Sequence, residues 1–194
     1  VGKWGFGAGL RYENINFDYY QNQVFNNEQS KSYGKLFPNI QVGYSSDNIQ
    51  TVVGYERKIQ YPTYSQLRSN VQYSSPFVYE SGNPLLQPQI QNDFTGMFAY
   101  KELKVMLGYT IYEDYITQLM SLYDGNPIVL ISTENVKDVS SSFFAVSYTP
   151  VIHFWRPNFE VGGQWQSFDL GDGQDYNKPI FKIRWNNTFS LPKE

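Results

Sequence analysis

Cysteine is absent from the 194 residues, and histidine occurs once, at His153. Without thiols there can be no disulfides, thiolate nucleophiles or thiolate metal sites. A single imidazole set among aromatics in VIHFWRP reads as a packing or turn residue, not as a base or a ligand. Charge is also sparse: 15 basic and 18 acidic residues give a net charge of −3 and form no runs. The basic footprint that nucleic acid requires is therefore missing, and nucleic acid is not an expected partner.

Long apolar runs are lacking too. No stretch approaches the roughly 18 consecutive apolar residues of a membrane helix, and no basic start followed by an apolar centre opens the chain. If a membrane is involved, helices are not how the chain crosses it. Gly-x-Ser-x-Gly, His-Glu-x-x-His and phosphate-binding glycine loops do not occur. The adjacent acids Glu113 and Asp114 would point to opposite faces of a strand. No enzyme and no cofactor are expected. Composition shows no break, so residues 1–194 are treated as one unit.

Aromatic side chains are abundant. There are 17 Tyr, 14 Phe and 4 Trp, or 18% of the chain, yet mean hydropathy is −0.49. The arrangement has period two. Trp4, Phe6, Ala8, Leu10 and Tyr12 alternate with Gly5, Gly7, Gly9 and Arg11, which marks a strand with one apolar face. Leu36, Pro38, Ile40, Val42 and Tyr44 form a second stripe, and Ile49, Thr51, Val53 and Tyr55 a third. Five more follow, beginning near Phe94, Leu103, Phe144, Phe159 and Phe181, for about eight strands in all.

The connections alternate in length. SSDN (45–48), YKEL (100–103) and TPVIHFWRP (149–157) are compact, whereas 19–34, 60–90, 114–140 and 168–178 are long and polar. Tight turns at one end, long loops at the other and strands that are apolar on one face and polar or glycine on the other predict an all-β fold. The expected form is an antiparallel transmembrane β-barrel of meander strands. Lipid leaves no backbone group unpaired, so such a sheet must close on itself or join a larger closed sheet. Trp4, Tyr12, Tyr44, Tyr55, Tyr100, Tyr109, Tyr148 and Trp165 fall near strand ends, where ring side chains favour the membrane interface. The competing architecture is a soluble β-sandwich that binds carbohydrate through exposed aromatics; a self-contained eight-stranded barrel serving as an anchor or adhesin is another.

YERKIQYPTYSQL (55–67) followed by ESGNPLLQP (80–88) resembles the paired proline signature of the outer-membrane β-barrel family in TonB-dependent receptors of Bacteroidetes-type bacteria. GLRYE (9–13), LFPNIQVGYS (36–45) and NNTFSLPKE (186–194) are similar to that family in order and spacing. The resemblance implies a C-terminal barrel fragment of four hairpins without plug domain or TonB box. It implies residence in the bacterial outer membrane, import of a nutrient through a plugged barrel, and lipid or lipopolysaccharide, plug, TonB and a small nutrient as partners. Two departures stand out: Tyr61 occupies a place where Arg before the proline is common, and Arg68, Ser69 and Asn70 replace Asn-Pro-Phe.

The loop carrying the signature holds the candidate functional residues. Tyr61, Tyr64, Tyr73, Phe77 and Tyr79 can stack on a sugar or aromatic ligand, with Arg68 as a polar clamp. Arg57 and Lys58, just past Tyr55, are expected at the rim, lifting their charges to lipopolysaccharide phosphate or water. The alternative is a loop stiffened by Pro62, Pro76, Pro84 and Pro88 that packs on its neighbours to seal the mouth. Asp169, Asp172 and Asp175 in DLGDGQD are weak calcium candidates, since hard cations want several oxygens, but Gly-Asp runs are ordinary turn material.

Overall fold

The structure, a computed structural model, describes residues 2–21, 23–169 and 175–190. Alternation produces the strands. β1 (Lys3–Gln21), β2 (Val24–Ser45), β3 (Ile49–Gln60), β6 (Gln89–Tyr100), β7 (Leu103–Glu113), β10 (Val139–Tyr148), β11 (Trp155–Asp169) and β13 (Ile180–Phe189) are the long ones. They form an antiparallel meander in that order, and the short β12 (Asp175–Tyr176) adds to β11 beyond β13. The order matches the expected strand set. The sheet is open: among the described residues, β1 and β13 do not pair with each other.

Register shows what each face is for, because cross-strand partners share a face. One row runs Phe6, Val42, Val53, Gly96, Leu107, Phe144, Gly163, Phe181. Its neighbour on the opposite face runs Gly9, Asn39, Glu56, Asp93, Thr110, Ser141, Gln166. The first face is apolar and the second polar, across the whole sheet. Phe6 is 77% and Ile183 81% exposed, which water would not tolerate on such a scale and lipid would. Two aromatic-rich rows bound the apolar face. Tyr100, Tyr148, Phe159 and Trp185 lie at the tight-turn end. Tyr55, Phe94, Tyr109 and Trp165 lie toward the loops, with the Tyr55 and Phe94 rings 4.9 Å apart.

The tight turns are local. Ser46 N–H donates to Ile49 O at 2.7 Å, and Ile152 and Trp155 exchange two backbone bonds at 2.8 and 2.9 Å. His153 sits inside that last turn with φ +56°, a turn residue as expected.

The long-loop end differs from expectation. Residues 19–34 are not a loop, because β1 and β2 stay paired out to Gln21 and Val24 and form a projecting ribbon. The segments 60–90 and 114–140 contain β4 (Val71–Ser75), β5 (Val78–Ser81), β8 (Tyr115–Leu122) and β9 (Val129–Val136). These build a second sheet, β4-β5-β9-β8, in which β5 and β9 run parallel. That pair corrects the wholly antiparallel expectation. Strands from two different loops need not obey hairpin geometry. Asp114 (φ +53°) and Asp138 (φ +56°) mark where the β7–β10 hairpin breaks and resumes as β8–β9.

Close packing also gathers at this end. Phe37, Leu86, Ile90 and Val139 are 1–2% exposed, and each lies in a loop or on the loop-end part of a strand.

Candidate functional site

The two proline motifs pack on each other through backbone. In the first, Gln66 and Leu67 N–H donate to Thr63 O while Gln66 Oε1 accepts from Thr63 N–H at 2.8 Å, closing a turn just after Pro62. In the second, Asn83 Oδ1 accepts from Leu85 N–H at 2.9 Å. Asn83 N–H reaches across to Gln66 O at 2.6 Å. Asn83 Nδ2 also donates to Glu134 on β9 at 2.9 Å. Asn135 then accepts from Gln87 N–H at 2.7 Å and donates to Gln87 O and Asp114 O. The motif residues thus fasten the loop to the second sheet.

The ribbon and this loop enclose a cavity of about 230 Å³. Phe17 and Tyr33 continue the inward stripe of β1 and β2 into it. A register shift between Phe17 and Tyr19, which re-aims side chains as bulges do, brings Asp18 and Tyr20 to the same wall. Tyr19 Oη donates to Ser69 Oγ at 3.3 Å and Tyr33 Oη to Gln87 Oε1 at 3.3 Å, so ribbon and loop are tied at two points. Tyr64 and Arg68 complete the lining from the loop side. Arg68 is held by Gln72 and lies 4.0 Å from Glu80, yet its Nε is buried without a hydrogen-bond partner.

The candidates separate into groups. Tyr61 does not line that cavity; its hydroxyl donates to Glu13 at 3.0 Å, and Glu13 also holds Arg11 at 2.9 Å. Burial, then the Glu13 carboxylate, push the Tyr61 phenol up to about 12. Burial and the charge of Asp114 likewise raise Tyr33. Tyr73 and Tyr79 stand on the second sheet with rings 5.9 Å apart, and Tyr123 joins them 5.0 Å from Tyr79. Phe77 is exposed in the β4–β5 turn. Arg57 and Lys58, adjacent on β3, face opposite ways. Arg57 lies on the apolar side beyond Tyr55, where Nη2 donates to both Glu113 oxygens at 3.1 and 3.2 Å. Lys58 points inward to Asp93 at 2.9 Å and Glu56 at 3.1 Å. Asp172 and the side chains of Asp169 and Asp175 lie outside the described residues; among the described residues no group of acids or imidazoles is placed to hold a metal ion.

An outward apolar face, an inward polar face and a structured loop end are the parts of a β-barrel wall, and the family model of the outer membrane protein beta-barrel family matches residues 1–194. The chain belongs to that family. Its place is therefore the bacterial outer membrane. No curated protein matches the chain. Among solved structures, the siderophore receptor PirA from Pseudomonas aeruginosa is 10% identical with a TM-score of 0.56, over 95% of this chain and 40% of that one. The ferric enterobactin receptor PfeA, in complex with BCV-L6, is 14% identical with a TM-score of 0.52, over 98% of this chain and 36% of that one. At these identities the likeness is one of fold: a β-barrel wall like those of such receptors. The chain spans about two fifths of their length.

In barrel terms, Arg57 and Glu113 lie on the lipid side just past the aromatic row, Lys58 lies in the lumen, and the cavity sits above the wall at the mouth. Sequence reasoning missed Tyr20 and Tyr33 because they fall in 19–34, read as a loop, and Phe17 and Asp18 because the first stripe is read only to Tyr12. The signal was present in ENINFDYY, where Ile15, Phe17 and Tyr19 alternate with Asn14, Asn16 and Asp18. Tyr123 had no sequence signal, since only the parallel pairing of β5 with β9 brings it to Tyr79.

Proposed function

We propose that this chain is a four-hairpin sector of a larger, plugged barrel: the outer-membrane part of a TonB-dependent transporter of the Bacteroidetes type. It would import a scarce nutrient, with plug and energy coupling supplied by other parts of the protein. The observation that carries this reading is the polar, glycine-rich inner face held in register across an open sheet. An inner face of this kind suits a wide lumen lined with water or a polar plug. A narrow barrel filled by its own side chains would need bulk there, whereas Gly5, Gly7, Gly9, Gly43, Gly54, Gly108 and Gly162 share that face. The open edges of β1 and β13 support the same view, since lipid requires them to be paired. The role is carriage, not catalysis.

The test uses the full-length protein in detergent and the periplasmic part of TonB. Retention of TonB on the immobilised receptor, rising when nutrient occupies the mouth, is the expected result. A full-length protein that closes as eight strands and never retains TonB would overturn the reading in favour of a small anchor.

A further inference from the structure

We propose that the cavity between the β1–β2 ribbon and the 62–86 loop is a carbohydrate site, sized for one or two neutral sugar rings. The proposal rests on the import reading and names the substrate class at the mouth of that barrel. Three observations point the same way. First, the lining is rich in rings: Phe17, Tyr20, Tyr33 and Tyr64 border a cavity of about 230 Å³. Flat aromatic faces match the C–H faces of a pyranose, which are the apolar part of an otherwise polar molecule.

Second, the charged lining is one cation and one anion, Arg68 and Asp18. Their charges offset, so an ion gains little from the site as a whole. A sugar hydroxyl is both donor and acceptor, so neighbouring hydroxyls can accept from the guanidinium and donate to the carboxylate. Arg68 keeps 31% of its side chain exposed while lining the cavity, and its guanidinium carries several N–H donors, of which one is held by Gln72.

Third, the rim is prepared but uncovered. Tyr64 is 89% exposed beside buried Pro62, in a turn held by two backbone bonds to Thr63 O. The turn holds the Tyr64 backbone, so a sugar ring that stacks on the exposed phenol has only the side-chain rotation to order.

The experiment is tryptophan and tyrosine fluorescence titration of the full-length protein in detergent with glucose, galactose, mannose, N-acetylglucosamine and their β-linked disaccharides, and with benzoate as an anionic aromatic. Saturable binding of at least one sugar is expected. Arg68→Gln should weaken it about tenfold and Tyr64→Ala about fivefold, while Val151→Ala, exposed at the tight-turn end away from the cavity, leaves it unchanged. Tyr64→Ala truncates an exposed side chain, so the test survives if Arg68→Gln does not fold. Benzoate binding without sugar binding, no saturable binding by any probe, or sugar binding indifferent to both cavity variants overturns the proposal. Sugar binding at this site in a receptor that never retains TonB would leave the carbohydrate site standing and remove the import reading. TonB retention with no sugar binding does the reverse.

Discussion

A Cβ on Gly82 would stand 2.5 Å from Gln66 O and 2.7 Å from Arg68 O. Both are backbone atoms, so neither can swing aside, and the glycine of the GNP motif is there for close approach of two loop backbones. Gly82→Ala should therefore cost about 1–3 kcal/mol, seen as a lower unfolding midpoint and as protease cutting between residues 63 and 85. Tyr61 carries a second prediction. Its folded pKa of about 12 lies above the ordinary 10, so the protonated phenol is favoured by folding. That contribution is complete below pH 10 and is lost as pH rises from 10 to 12. Alkaline titration followed by tyrosinate absorbance should show a late-ionising phenol that Tyr61→Phe removes, with a stability loss near neutral pH of about 1 kcal/mol.

At the level of the strand, the two faces make opposite demands on neighbouring residues. Leu107 is 55% exposed on the lipid side in the row between the two aromatic rows, and Met106 next to it faces the lumen. Leu107→Arg should cost roughly 2–4 kcal/mol in urea unfolding from vesicles, because an arginine at mid-depth has no water. Met106→Arg should be tolerated. The same logic separates Arg57 from Lys58. Their adjacency suggested a shared rim, but period two sends one to Glu113 on the outside and the other to Asp93 and Glu56 within. Parity was readable in the sequence, and with it Glu56, two residues before Lys58 on the same face; Glu113 and Asp93 were not, since strands 35 or more residues away bring them in.

For the molecule as a whole, orientation is the property to check. These 194 residues hold no cysteine, so a cysteine introduced among them can be compared directly with the unsubstituted full-length protein as the labelling background. Asn126→Cys, in the connection between β8 and β9, should react with a membrane-impermeant maleimide on intact cells expressing the full-length protein. Asp47→Cys, in the tight turn between β2 and β3, should react only after the outer membrane is opened. The reverse pattern would turn the barrel over and place the sugar-sized cavity in the periplasm.

Local chemistry determined the wall. Alternation, turn length and ring residues at strand ends are properties of neighbours along the chain, so eight strands and their two faces follow from the order of residues alone. The mouth was decided only in three dimensions. The parallel pairing of β5 with β9, the ribbon of β1 and β2 and the cavity lined by Phe17, Tyr33, Tyr64 and Arg68 join segments far apart in sequence, and no local period encodes which distant loop a polar segment will meet. Strand faces answer to the two-residue repeat of the backbone, while loop docking answers to shape and hydrogen bonding between surfaces that exist only once the wall has formed.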